Sequence, residues 1–117
     1  MNHLNSLIIE GNIKEVKVSD LPNGLKVTEF SVAVLRYQKK NDGSFSEEES
    51  CFSVLLFGRM AELAETNGKI GRGIRIVGRL KQERFTDSDG KAQSKIIVIA
   101  EHVEYKPILK SSGQTQA

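Results

Sequence analysis

Five stretches of β-branched and aromatic residues, parted by turn chemistry and interrupted by a single short helical pattern, leave this chain little alternative to an all-β fold. From Leu4 to Val18 the residues Leu7, Ile8, Ile9, Ile13, Val16 and Val18 form short β-like runs, broken at Gly11-Asn12, a pair that suits a bulge or sharp bend. Leu21-Pro22-Asn23-Gly24 then turns the chain, because proline presets one φ angle and Asn-Gly accepts the positive φ of a tight hairpin. Leu25 to Tyr37 therefore returns antiparallel to the first strand. Gln38 to Glu49 is polar, contains Asn41-Asp42-Gly43 and reads as an extended hairpin loop. The run CFSVLLF at 51–57 is expected to be a third, largely buried strand ended by Gly58. Met60, Leu63 and Ala64 stand at helical spacing within Arg59 to Asn67, and Asn67-Gly68 supplies the stop. Ile74 to Phe85 alternates: Ile74, Ile76, Gly78 and Leu80 share one parity, and Arg75, Val77, Arg79, Lys81 and Phe85 the other. After the turn at Asp87-Ser88-Asp89-Gly90, Ser94 to Tyr105 makes a fifth strand rich in Ile and Val.

Three strands, a helix and two strands are the order of a five-stranded OB-fold, a Greek-key barrel with its helix between strands three and four. That fold takes oligonucleotides or oligosaccharides on one face, and fold alone does not choose between them. With 117 residues there is room for one domain, expected over 1–106, followed by a short flexible polar tail over 107–117. The formal net charge of +2 says little about a partner, so the placement of charge has to decide. Between 69 and 95, Lys69, Arg72, Arg75, Arg79, Lys81, Arg84, Lys91 and Lys95 face only Glu83, Asp87 and Asp89. Acid gathers instead in the second long loop, at Asp42, Glu47, Glu48 and Glu49.

The inventory argues against catalysis and against a cofactor. Cys51 and His102 have no orienting partner in sequence, and Cys51 reads as a buried core thiol. His3 and His102 make no metal-ligand spacing. Gly71-Arg72-Gly73 lacks the Gly-Lys-Ser/Thr ending of a phosphate loop and precedes a strand. A lone cysteine fits a reducing compartment, and no apolar run approaches the ~18 residues of a membrane helix, so a cytoplasmic chain is expected.

The segments LNSLIIEGNI at 4–13, LPNG at 21–24, VTEFSVAV at 27–34, FSVLLFGRMAELA at 52–64 and GIRIVGRLKQERFTDSDGK at 73–91 resemble the bacterial single-stranded DNA-binding proteins. They span nearly the whole chain in the family's order. The resemblance implies a homotetramer of OB-folds that wraps unpaired DNA without sequence preference in replication, recombination and repair, at the nucleoid. It carries the family's stacking aromatics onto Phe57 and Phe85, with Tyr37 as a third at the end of the second strand. Arg36, Lys39, Lys40, Arg59, Lys69, Arg72, Arg75, Arg79, Lys81 and Arg84 are the cations expected to meet phosphates. Such residue types suit the chemistry, because every nucleotide offers one phosphate charge and one flat base.

The chain also departs from the family pattern. A tryptophan common in the family falls on Cys51, and there is no Trp anywhere in the chain. Phe52 stands where the family often has His, and either adds a ring or belongs to the core. The usual Asp-Pro-Glu after Gly-Asn is replaced by Lys14 to Val18. The last residues, SSGQTQA, are unlike the acidic, Phe-ended tip by which the family recruits repair proteins, so weakened recruitment is expected. A second reading stays open at this stage: an OB module of the primosome type, docking on other replication proteins and holding DNA weakly.

Overall fold

The computed structural model describes residues 1–108. Five strands form one barrel: β1 (Leu7–Asp20), β2 (Lys26–Lys39), β3 (Phe45–Phe57), β4 (Gly73–Thr86) and β5 (Ala92–Tyr105), with the helix α1 (Arg59–Asn67) between β3 and β4. The strands close in the order β1-β2-β3-β5-β4, the Greek-key arrangement expected of an OB-fold. All neighbours run antiparallel except β3 and β5, which meet in parallel at Val54↔Val98 and Leu55↔Ile99 and seal the barrel.

One strand serves two partners at the predicted bend. β1 pairs with β4 from Leu7 to Asn12 and with β2 from Asn12 to Asp20, so the change of partner falls on Asn12. Gly11 allows it: a Cβ there would lie 2.1 Å from the Ala33 carbonyl oxygen, closer than any side chain tolerates. Inward residues of all five strands, among them Ile13, Phe30, Val32, Leu56, Ile74 and Ile76, are fully buried and make the core. α1 closes one end of it with Ala61 and Ala64, and the buried Thr28 hydroxyl donates to the Ala61 carbonyl at 3.3 Å. Beyond the helix, a Cβ on Gly68 would come within 2.4 Å of the Phe30 ring, so the core aromatic is packed directly onto the chain's exit from α1.

Three expectations change. The polar stretch 38–49 is not a loop: β2 runs on to Lys39, β3 starts at Phe45, and only the Lys40–Ser44 turn lies between them. A two-stranded ribbon outside the core needs backbone pairing and cross-strand partners, not apolar content, and Arg36 stands directly opposite Glu48. β3 is buried at Val54 and Leu56, but Phe57, on the outward parity, is exposed, and Phe52, on the inward parity, is exposed where the strand leaves the barrel. Cys51, expected in the core, is exposed. Its parity, shared with Ser53 and Leu55, points it outward opposite Ala33. Leu80, which shares the parity of the buried Ile74 and Ile76, is likewise exposed, since β4 runs past the barrel from Arg79 onward. Of the tail expected over 107–117, Pro107 and Ile108 are exposed, and 109–117 lie outside the described residues.

Candidate nucleic-acid interface

Strand register decides which side chains can share a surface. On the outer side of the sheet, β2 and β3 bring together Val27↔Phe57, Glu29↔Leu55, Ser31↔Ser53, Ala33↔Cys51, Leu35↔Glu49 and Tyr37↔Glu47. Leu55 lies beside Ile99 of β5, and Ile99 beside Arg79 of β4. Two steps further along β4, Lys81 faces Ile97, and Phe85 faces Gln93 near the end of the hairpin. The outer face of β2, β3, β5 and β4 is therefore continuous, and the pleat assigns Tyr37, Phe57 and Phe85 to it.

All three rings reach solvent, with exposures of 64% for Tyr37, 37% for Phe57 and 47% for Phe85. Ten strand positions separate the Phe57 row from the Tyr37 row, at most about 33 Å along the strands. That span suits a track of several nucleotides, and single OB-folds cover about 4–16. Around Phe85 the β4–β5 hairpin forms an open hollow lined by Gln82, Arg84, Thr86, Gln93 and Ser94. Glu47 stands directly across from Tyr37, and its carboxylate raises the phenol pKa.

The ten cations expected at phosphates do not fall together. Lys39 and Lys81 share the outer face with the rings and have no carboxylate at ion-pair distance among the described residues. Lys40 lies in the adjoining Lys40–Ser44 turn. Arg36 and Arg84 project from the opposite faces of their ribbons, Arg36 across from Glu48 and Arg84 donating to the Gln82 amide oxygen at 3.3 Å. Arg75 and Arg79 keep the expected face but are paired: Arg75 with Glu10 at 2.5 Å and Glu104 at 3.7 Å, and Arg79 with Glu101 at 3.6 Å. Arg75 and Lys106 together hold the Glu10 carboxyl below its ordinary pKa. Charge counted along the chain missed these partners, which come from β1 and β5 across the sheet.

The remaining three sit at the ends of the helix. Arg59 opens α1 and is exposed. Lys69 donates to the Glu65 carbonyl at 2.8 Å, just past the helix. Arg72 is occupied by the fold itself: it donates to the carbonyl oxygens of Lys106 at 2.8 Å and Asn67 at 3.4 Å, and its guanidinium lies over the Tyr105 ring, 5.5 Å from the centroid. Phe45, which sequence reasoning did not single out, is 69% exposed, and Phe52, left open between an added ring and the core, is 42% exposed. The signal for Phe45 was its place opposite Lys39, which a loop assignment hides.

The profile of the Single-strand binding protein family matches residues 4–106. This chain belongs to that family. Among curated relatives of the family, the single-stranded DNA-binding protein of Wolinella succinogenes is 39% identical over 113 residues, covering 96% of this chain and 68% of the relative. That of Aquifex aeolicus is 38% identical over 101 residues, covering 86% of this chain and 68% of the relative. Among solved structures, the Plasmodium falciparum SSB in complex with ssDNA superposes with a TM-score of 0.81 at 16% identity, over 92% of this chain and 98% of that one. The single-stranded DNA binding protein from Thermus aquaticus superposes with a TM-score of 0.76 at 24% identity, over 89% of this chain and 51% of that one. At such identities the superpositions speak to the barrel alone. Among the described residues no helix is long and apolar enough to cross a membrane, and no group of three His, Cys, Asp or Glu could hold a metal ion.

Proposed function

We propose that this protein binds single-stranded DNA without regard to sequence, stacking bases on Phe85, Phe57 and Tyr37 and neutralising phosphates with Lys39, Lys40 and Lys81, and with Arg84, which lines the hollow around Phe85. The observation that carries the reading is the outer face shared by three solvent-exposed rings, with Lys39 and Lys81 beside them and no carboxylate bound to either. Arg75 and Arg79 are a reserve: exposed ion pairs are worth about 0–1 kcal/mol, so a phosphate can displace a carboxylate there at small cost. Arg72 is a structural residue in this account, because three groups of the fold already hold it. Coating of unpaired strands during replication, recombination and repair at the nucleoid follows from such binding.

Titration with oligo-dT, oligo-dA and duplex at two salt concentrations tests this directly. Both single strands should bind and duplex much more weakly, since paired bases offer no free face to a ring. Four neutralised phosphates give a log-log salt slope of about −3 per protomer. Equal binding of duplex, or affinity indifferent to salt, would remove the stacking or the charge half of the proposal respectively.

We further infer that copies of the chain assemble, as a tetramer. Between Leu7 and Gly11 the strand β1 is paired on its β4 side only, and free strand edges invite a partner. Leu7 and Ile9 on that strand face the core, and the residue offered outward is Ile8 at 66% exposure. Sedimentation at micromolar concentration should give a species near four chain masses; a monomer there defeats this assembly without touching DNA binding.

A further inference from the structure

Tyr37 does not stand alone at the end of the β2–β3 ribbon. Glu47 lies directly across from it, and Phe45 lies two residues before Glu47, directly across from Lys39. Tyr37, Lys39, Phe45 and Glu47 therefore share one face, with Tyr37 and Phe45 as diagonal cross-strand neighbours. Residues in that relation are about 7–8 Å apart. Neither ring is covered, since Phe45 is 69% exposed and Tyr37 64%. A phenylalanine held in water at a hairpin tip forgoes the burial that ordinarily places such a side chain inside.

Base stacking repeats at about 3.4 Å, so rings carried by residues about 7 Å apart can stand with the space of one base between them. We propose that Tyr37 and Phe45 form a two-ring clamp that takes a single unpaired base between them, with Lys39 meeting a phosphate beside it. This deepens the single-strand reading above and rests on it. Glu47 gives the clamp its selectivity for the base over the backbone: its carboxylate, directly across from Tyr37, repels phosphate from that side. Lys39, on the other side of the pair, leaves the backbone one favourable course.

The test is a set of variants titrated with oligo-dT at one salt concentration. Phe45→Ala should weaken binding about tenfold while far-UV circular dichroism is retained. Tyr37→Ala should do about the same, and the double variant should bind little worse than either, because one slot is lost only once. Wild-type affinity in Phe45→Ala, or losses that multiply in the double variant, would overturn the clamp. Phe85→Ala separates the two levels. If it weakens binding while Phe45→Ala does not, the clamp falls and single-strand binding stands; if the wild type itself fails to bind oligo-dT, both fall. Phe45→Trp guards against a ribbon that frays on truncation. The chain has no tryptophan of its own, so the introduced indole reports alone. Its emission should be quenched strongly as oligo-dT saturates the protein; unchanged emission at saturation would mean the ring merely steadies the hairpin, and would overturn the proposal.

Discussion

Phe85→Ala is expected to lower the affinity for oligo-dT by about 5- to 150-fold, at nearly unchanged thermal stability. Stacking one base on an aromatic ring is worth about 1–3 kcal/mol by alanine substitution, which converts to that range. The ring is 47% exposed and stands on β4 beyond the barrel, facing Gln93 across the hairpin. Truncating it therefore removes little buried contact, and a change of at most about 1 kcal/mol in stability is expected. The loss should appear for oligo-dA as well, because every base has a stacking face. Equilibrium titration together with a melting curve checks both halves. A folded variant with wild-type affinity would sink the stacking role of this ring. A large fall in melting temperature would mean that Phe85 supports the hairpin instead of a nucleotide.

How much of this could be read from residues alone depended on where each interaction runs. Turns are local, so Leu21–Gly24 and Asp87–Gly90 announced their hairpins, and Asn67-Gly68 announced the helix stop. The bend at Gly11-Asn12 was legible for the same reason, although its cause, the Ala33 carbonyl packed against Gly11, lies in another strand. Alternation failed where strands leave the core. Leu80 keeps the inward parity of Ile74 and Ile76 but has no barrel beneath it, and the ribbon from Arg36 to Glu48 has no apolar stripe to betray it. Charge was the least legible. Arg75 and Glu10 are 65 positions apart in sequence and face each other in the sheet, so a cationic run along the chain became a partly neutralised face. Aromatics with little contact demand survived this translation better, which is why Phe85 and Tyr37 reach solvent as expected and Arg72 is drawn into holding the chain beyond β5.

Phe30→Ala should do the reverse of Phe85→Ala, destabilising the fold by about 3–5 kcal/mol while leaving the intrinsic affinity of the folded fraction close to wild type. Phe30 is fully buried on β2, pairs with Val54, and presses its ring against Gly68 at the exit of α1. Truncation leaves a cavity that neighbours cannot easily fill: Val32, Leu56 and Ile76 are held in paired strands, and Gly68 has no side chain to move inward. Against the roughly 5–15 kcal/mol that ordinarily separates folded from unfolded domains, such a loss is a large share. It corresponds to a fall in melting temperature of roughly 10–25 °C for a domain of this size. Wild type and variant must be melted at equal protein concentration, because any assembly of copies adds stability by mass action. Affinity should survive because Phe30 faces inward, whereas Tyr37, Phe57 and Phe85 face outward on the same barrel. A loss below about 1 kcal/mol would mean that α1 moves in to close the space, so that the helix is a mobile plug and not a fixed base for the sheet.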